Sequence, residues 1–170
     1  MPDPSIRKDQ RIIELAQLFK QIGADDPLSW AQSEIEEDIP QLARFVFLRA
    51  AWQRVISEDD TNWIDHAIEN SVRHPTSPGA GIGPALKNLL NLGASRQDLT
   101  ELVRVIQFEL LFALCNLLDN PGELEPELGD LGWELHEIDQ YGHPTQRLVQ
   151  GLYESVLSMD PTGREMRPRS

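Results

Sequence analysis

The chain has 170 residues, of which 40% are hydrophobic, so it can bury a substantial core and has the size of one ordinary domain. Its 28 acidic and 15 basic residues give a formal net charge of −13, which argues against nucleic-acid binding because phosphate backbones would be repelled. The single cysteine, Cys115, excludes an intramolecular disulfide and a zinc site built on several thiolates.

The N-terminal residues MPDPSIRKDQ are polar and do not resemble a signal peptide. No apolar run along the chain reaches the ~18 residues that a membrane span needs. From these two observations we expect a cytoplasmic protein with no membrane association.

Apolar residues spaced three and four apart predict six helices before Pro121. The first begins near Ser5 or Asp9 and stops at Gly23, and the second begins at Pro27 behind the cap Asp26. The other four cover residues 40–57, 61–74, 85–93 and 98–119, with a surface loop rich in glycine and proline at 75–84. The helices at 40–57 and 98–119 are apolar on almost every side, so we expect them to form the centre of a bundle.

The segment that follows the acidic stretch is ambiguous. Trp133 and Leu135 alternate with polar residues as in a strand, whereas Leu131, Leu135 and Ile138 also fit a helical stripe. Gly132 and the turn-like DQYG favour a short extended piece. After it, residues 145–159 have the pattern of a final amphipathic helix.

These elements predict a mainly α protein, a single-domain helical bundle of about six or seven helices with at most a small β element near residues 133–139. The domain would cover residues 1–163. Residues 164–170 carry three arginines and one acidic residue and would form a disordered basic tail.

Charged residues inside the two apolar helices form the first candidate site. An unpaired charge in such surroundings would cost several kcal/mol, so we expect Arg49 and Glu109, with Arg44 and Arg104, to be paired. Most buried ion pairs are structural. A pair that opens into a pocket could instead bind a small acid or transfer a proton.

The turn near the end of the chain forms the second candidate site. Trp133, His136, Asp139 and His143 crowd together there. The stretch from Asp119 to Asp139, which overlaps this turn, holds eight acidic residues and no lysine or arginine. A charge run of this kind is most often a solvated loop, and its sharper interpretation is a docking surface for a basic partner. For Trp133 we favour a buried core position over an exposed anchor.

No catalytic, metal-binding or cofactor-binding motif was found. The histidines match no known ligand spacing, Cys115 lies on an apolar helix, and no serine sits in a GxSxG turn. The leading hypothesis is therefore an acidic cytoplasmic protein-interaction module, such as an inhibitor, an immunity-type protein or a regulator, that binds a basic protein. The alternative is a small-molecule-binding protein or enzyme with a pocket around Arg49 and Glu109. A homodimer through one of the apolar helices is compatible with either.

Overall fold

A computed structural model of the chain describes residues 4–121 and 131–169. Seven helices and one two-stranded antiparallel sheet occur in these residues. The helices are α1 (Pro4–Gln21), α2 (Pro27–Glu36), α3 (Gln41–Trp52), α4 (Trp63–Arg73), α5 (Ile82–Asn91), α6 (Arg96–Asp119) and α7 (Leu152–Ser155), and the strands are β1 (His136–Ile138) and β2 (Pro144–Leu148). The predicted mainly α fold is confirmed, and β1 lies within the predicted range for a small β element. No helix of the described residues is both long and apolar enough to cross a membrane.

Two compact units divide the chain. Unit 1 comprises Met1–Trp52 together with Ala113–Ser170, and unit 2 is the continuous stretch Gln53–Phe112. Helix α6 contributes residues to both units. The assignment of residues 1–163 to a single domain stays a prediction, as does the disordered tail at 164–170.

The core of unit 1 contains a cluster of aromatic rings. The ring of Phe19 lies 6.0 Å from that of Trp30 and 5.6 Å from that of Phe45, distances typical of favourable aromatic pairs. Met159 of the C-terminal segment packs against the same cluster, and Trp52 donates its indole N–H to the carbonyl of Val156 at 2.9 Å. The first three helices and the C-terminal segment therefore share one core.

The core of unit 2 is built by Ile64, Leu86 and Leu99, from α4, α5 and α6. Helices α4 and α5 approach closely because Gly83 has no side chain, and its N–H donates to the Ser71 hydroxyl at 3.1 Å. A Cβ atom at Gly83 would clash with the Ser71 side chain.

The helix predicted for residues 145–159 is wrong. The chain instead forms β2, turns at Gly151 with φ +68°, and then makes the four-residue helix α7. Strand β2 pairs with β1, with His136 opposite Leu148 and Ile138 opposite Pro144. This pairing crosses a turn, so the spacing of apolar residues within 145–159 does not reveal it.

Candidate functional site

The turn between β1 and β2 is organised by Asp139. Its Oδ1 accepts hydrogen bonds from the backbone N–H of Tyr141 at 2.8 Å and of His143 at 2.9 Å. The backbone N–H of Asp139 in turn donates to the carbonyl of His143 at 2.9 Å, and Gly142 takes the left-handed φ of +82° that the turn requires. The hydrogen bonds that the Asp139 carboxylate accepts, first that from the His143 backbone and then that from Tyr141, lower the pKa of this carboxyl.

We call residues 138–143 the hairpin tip, and its large side chains face solvent. Ile138 is 64% exposed and Tyr141 is 75% exposed. The Tyr141 ring lies 6.4 Å from the imidazole of His143, whose Nδ1 is 3.5 Å from the Asp139 carboxylate. An aromatic and an aliphatic group are thus presented on an ordered turn beside a carboxylate.

Trp133 lies on the chain that leads into the hairpin, and His136 is the first residue of β1. The Nδ1 atom of His136 is 2.9 Å from the carbonyl of Thr145, and its Nε2 atom is 3.1 Å from a carboxylate oxygen of Glu134. Because both partners are acceptors, only the doubly protonated ring donates to both at once. Trp133 is 39% exposed and donates its indole N–H to the carbonyl of Leu117 at 3.1 Å, so it is not the buried core residue that we favoured.

The four predicted residues of this region thus divide into two pairs. Trp133 and His136 line one cleft of about 520 Å³. Asp139 and His143 close the hairpin tip.

An ion-pair network that joins the hairpin strands to α2 was not predicted from the sequence. Arg147 on β2 lies 2.9 Å from a carboxylate oxygen of Glu34 on α2 and 3.0 Å from one of Glu137 on β1. The other oxygen of Glu34 accepts the N–H of Leu42 at 2.6 Å, at the start of α3. Glu34 is only 9% exposed, so its charge depends on these partners. Burial disfavours the charged form of Arg147, but the hydrogen bond to Glu34 and the two glutamate charges outweigh it and raise the pKa of Arg147.

Arg44 lies nearby in unit 1 and is 8% exposed. Its Nη2 atom donates to the carbonyl of Gly151 and, at 2.7 Å, to the hydroxyl of Ser155, while the nearest carboxylate, Glu154, is 3.7 Å away. Burial lowers the pKa of Arg44, and the charges of Glu154 and Asp119 oppose that shift. Oxygen atoms of the short helix α7 and of the residue before it thus surround this guanidinium.

The first candidate site, around Arg49 and Glu109, is placed differently from our expectation. Arg49 belongs to unit 1, donates from Nη1 to the carbonyl of Ile22 at 2.5 Å, and lines a cleft of about 390 Å³ whose other residues also belong to unit 1. Glu109 belongs to unit 2 and is exposed. The desolvation cost that demanded an ion-pair partner does not apply to an exposed carboxylate.

Helix α6 is less buried than predicted. Leu102, Ile106 and Leu110, four residues apart on the part of α6 within unit 2, are 55%, 55% and 60% exposed. These three side chains are thus not covered as we expected for a central helix of the bundle, because apolar composition does not say which face is covered.

The chemistry of the described residues is limited in two respects. Within residues 4–121 and 131–169, no group of three or more His, Cys, Asp or Glu side chains is placed to hold a metal ion. Cys115 is buried, and burial together with the charge of Asp119 raises the pKa of its thiol to about 11. At neutral pH this thiol is a poor nucleophile.

Comparison of the chain with protein-family models, with curated proteins and with solved structures gave no significant match. The function proposed below rests on the side chains themselves.

Proposed function

We propose that this protein is an acidic interaction module whose hairpin tip docks a basic protein or peptide. The observation that carries the proposal is the pair of exposed side chains, Ile138 and Tyr141, on a turn that is closed by the Asp139 carboxylate. Tyrosine is among the residues that contribute most binding energy in protein interfaces. An ordered turn also loses less conformational entropy on binding than a flexible loop.

Charge supports the choice of a basic partner. The hairpin and the residues leading into it contain Glu134, Glu137 and Asp139. The predicted acidic stretch that precedes them adds five more acidic residues to the sequence, four of which lie outside the described residues. Of the nearby counter-charges, Arg147 is already bound by Glu34 and Glu137, and the two histidines are cationic only when protonated. An excess of acidic residues of this kind attracts a cationic partner and accelerates its association at low salt.

The test is a screen of a random peptide library displayed on phage against the immobilised full-length protein. We expect the selected peptides to be rich in lysine and arginine and to contain an apolar residue. Their affinity should fall steeply between about 50 and 500 mM NaCl because the exposed charges are screened.

Substitutions locate the binding surface. Tyr141→Ala should weaken binding of a selected peptide by about 10-fold or more, which corresponds to ~1.4 kcal/mol. The matched control is Leu92→Ala, which truncates an 86% exposed apolar side chain of unit 2 and should leave the affinity unchanged. Selection of peptides without basic residues, or equal effects of the two substitutions, would contradict the proposal.

A further inference from the structure

The cleft beside Arg49 combines a cation, a carboxylate and aromatic walls. It lies in unit 1 and is lined by the loop between α1 and α2, by Trp30 on α2, by Phe45 and Arg49 on α3, and by the segment Ser158–Pro161. Its volume of about 390 Å³ lies within the range of small-molecule sites. The hairpin tip is not part of it, so its function is independent of the proposed docking surface.

Within the described residues, the guanidinium of Arg49 engages only part of its N–H donors. Its Nη1 atom donates to the Ile22 carbonyl, and among the ion pairs of the described residues none involves Arg49. A guanidinium carries five N–H donors arranged to bind a carboxylate through two of them. Arg49 can therefore receive an anionic group from a ligand without losing its bond to Ile22.

Three carboxylates border the same cleft, and two of them are already engaged. Asp26 accepts the N–H of Ser29 at 3.1 Å as the cap of α2. Asp160 accepts from the backbone and hydroxyl of Thr162 and from the N–H of Met166, all within 3.1 Å. Asp25 is exposed, and in the described part of the chain it has neither an ion pair nor a side-chain hydrogen bond.

The charges select among ligand classes. A simple anion that approached Arg49 would be repelled by the carboxylates that line the cleft, and a simple cation would be repelled by Arg49. A molecule that carries both charges avoids both penalties. The ring of Trp30 is partly exposed at the cleft and is backed by the buried Phe45, whose ring lies 5.4 Å away, so it favours an apolar group on the same molecule.

We propose that this cleft binds a free amino acid with an apolar side chain. Its carboxylate pairs with Arg49, its ammonium group pairs with Asp25, and its side chain lies against Trp30. This assigns each of the three chemical features of the cleft to one part of the ligand.

Three related probes separate the contributions. Phenylalanine has both charges, 3-phenylpropionate lacks the ammonium group, and phenethylamine lacks the carboxylate. In chemical-shift titrations of the full-length protein, we expect phenylalanine to bind at least about 10-fold more tightly than either singly charged probe, because a charge-assisted contact is lost in each.

Two variants make the test specific. Asp25→Asn should reduce phenylalanine binding to the level of 3-phenylpropionate, and Arg49→Gln should reduce it to the level of phenethylamine. Asp25 is exposed, so its variant keeps the test valid even if loss of the bond to Ile22 unfolds the Arg49 variant. The control Asp9→Asn makes the same charge change on an exposed residue of α1 that does not line the cleft, and should have no effect.

The proposal is overturned by any of three results: no binding of phenylalanine at about 10 mM, a singly charged probe that binds as tightly as phenylalanine, or an Asp25→Asn variant that binds phenylalanine like the wild type.

Discussion

The carboxylate of Asp139 determines whether Tyr141 is presented on an ordered turn. It accepts two backbone N–H groups in its ionised form, and these bonds are the reason that its pKa is lowered. A lowered pKa in the folded state means that the ionised carboxylate stabilises the fold. This contribution is complete above the unfolded-state value of ~3.9 and is lost as the pH falls through the lower folded-state value.

Acidification should therefore disorder the hairpin tip only below pH ~3.9. The backbone amide signals of Tyr141 and His143, followed by NMR from pH 7 to pH 2, should shift with a midpoint below that value. In Asp139→Asn, which keeps an acceptor oxygen but does not titrate, the same signals should stay nearly constant. A midpoint at or above 3.9 in the wild type would contradict the assignment.

The contact between Arg147 and Glu34 should contribute much more to stability than an exposed ion pair. Arg147→Met leaves the 9% exposed Glu34 without its cation, and removing one partner of a buried pair costs roughly 3 kcal/mol. Arg167→Met removes an arginine that is 77% exposed from its pair with Glu165, and should cost below about 1 kcal/mol. Urea denaturation measures both free energies of unfolding.

The double variant Glu34→Gln with Arg147→Met gives the control for this assignment. It should be more stable than Arg147→Met alone, because the amide oxygen can still accept the N–H of Leu42 and no charge is left buried. Equal losses for Arg147→Met and Arg167→Met would show that Glu34 does not depend on Arg147.

At the scale of elements, the packing of α4 against α5 depends on one residue without a side chain. Gly83→Ala should destabilise the protein by about 1–3 kcal/mol, because the added methyl group overlaps the Ser71 side chain. Gly81→Ala is the matched control, since a Cβ atom there meets nothing within 4 Å. Thermal unfolding monitored by circular dichroism compares the two, and equal melting temperatures would contradict this account of the contact.

Local pattern was sufficient to predict most helices. The cap Asp26 with Pro27 and the stop at Gly23 are properties of neighbouring residues, and the structure has α2 beginning at Pro27. The helix prediction for the segment after Pro144 was wrong because the conformation of this segment depends on pairing with β1. Leu148 and Val149 fit a strand as well as a helix.

The candidate sites were predictable to a smaller extent. Asp139 and His143 were expected to share a turn because they are close in sequence, and they do so. Glu34 and Arg147 are 113 residues apart, and each looks like an ordinary surface charge in its own segment, so no local signal connects them. The expected pairing of Arg49 with Glu109 assumed that both side chains are buried, whereas Glu109 is exposed.

At the scale of the whole molecule, the excess of negative charge is concentrated in unit 1. This unit contains 20 of the 28 acidic residues but 10 of the 15 basic residues. Repulsion among like charges destabilises a compact state, and salt reduces it by shortening the Debye length from ~30 Å at 0.01 M to ~8 Å at 0.15 M.

Sodium chloride should therefore raise the melting temperature between about 0.01 and 0.3 M. Chloride is preferable to sulfate in this calorimetric measurement, because sulfate also stabilises proteins through exclusion from their surface. A fall in melting temperature would mean that screening of exposed ion pairs, such as Arg167 with Glu165, outweighs relief of the repulsion.

The discontinuity of unit 1 has a consequence for biosynthesis. Trp52 donates to the carbonyl of a residue that lies 104 positions later, and α3 contacts α7. At a translation rate of ~5–20 residues per second, roughly 5–20 s separate the synthesis of Trp52 from that of Val156. During that interval every residue of unit 2 is synthesised, while the first three helices still lack the C-terminal residues that complete their core. The emerging N-terminal segment is then most exposed to chaperones and proteases.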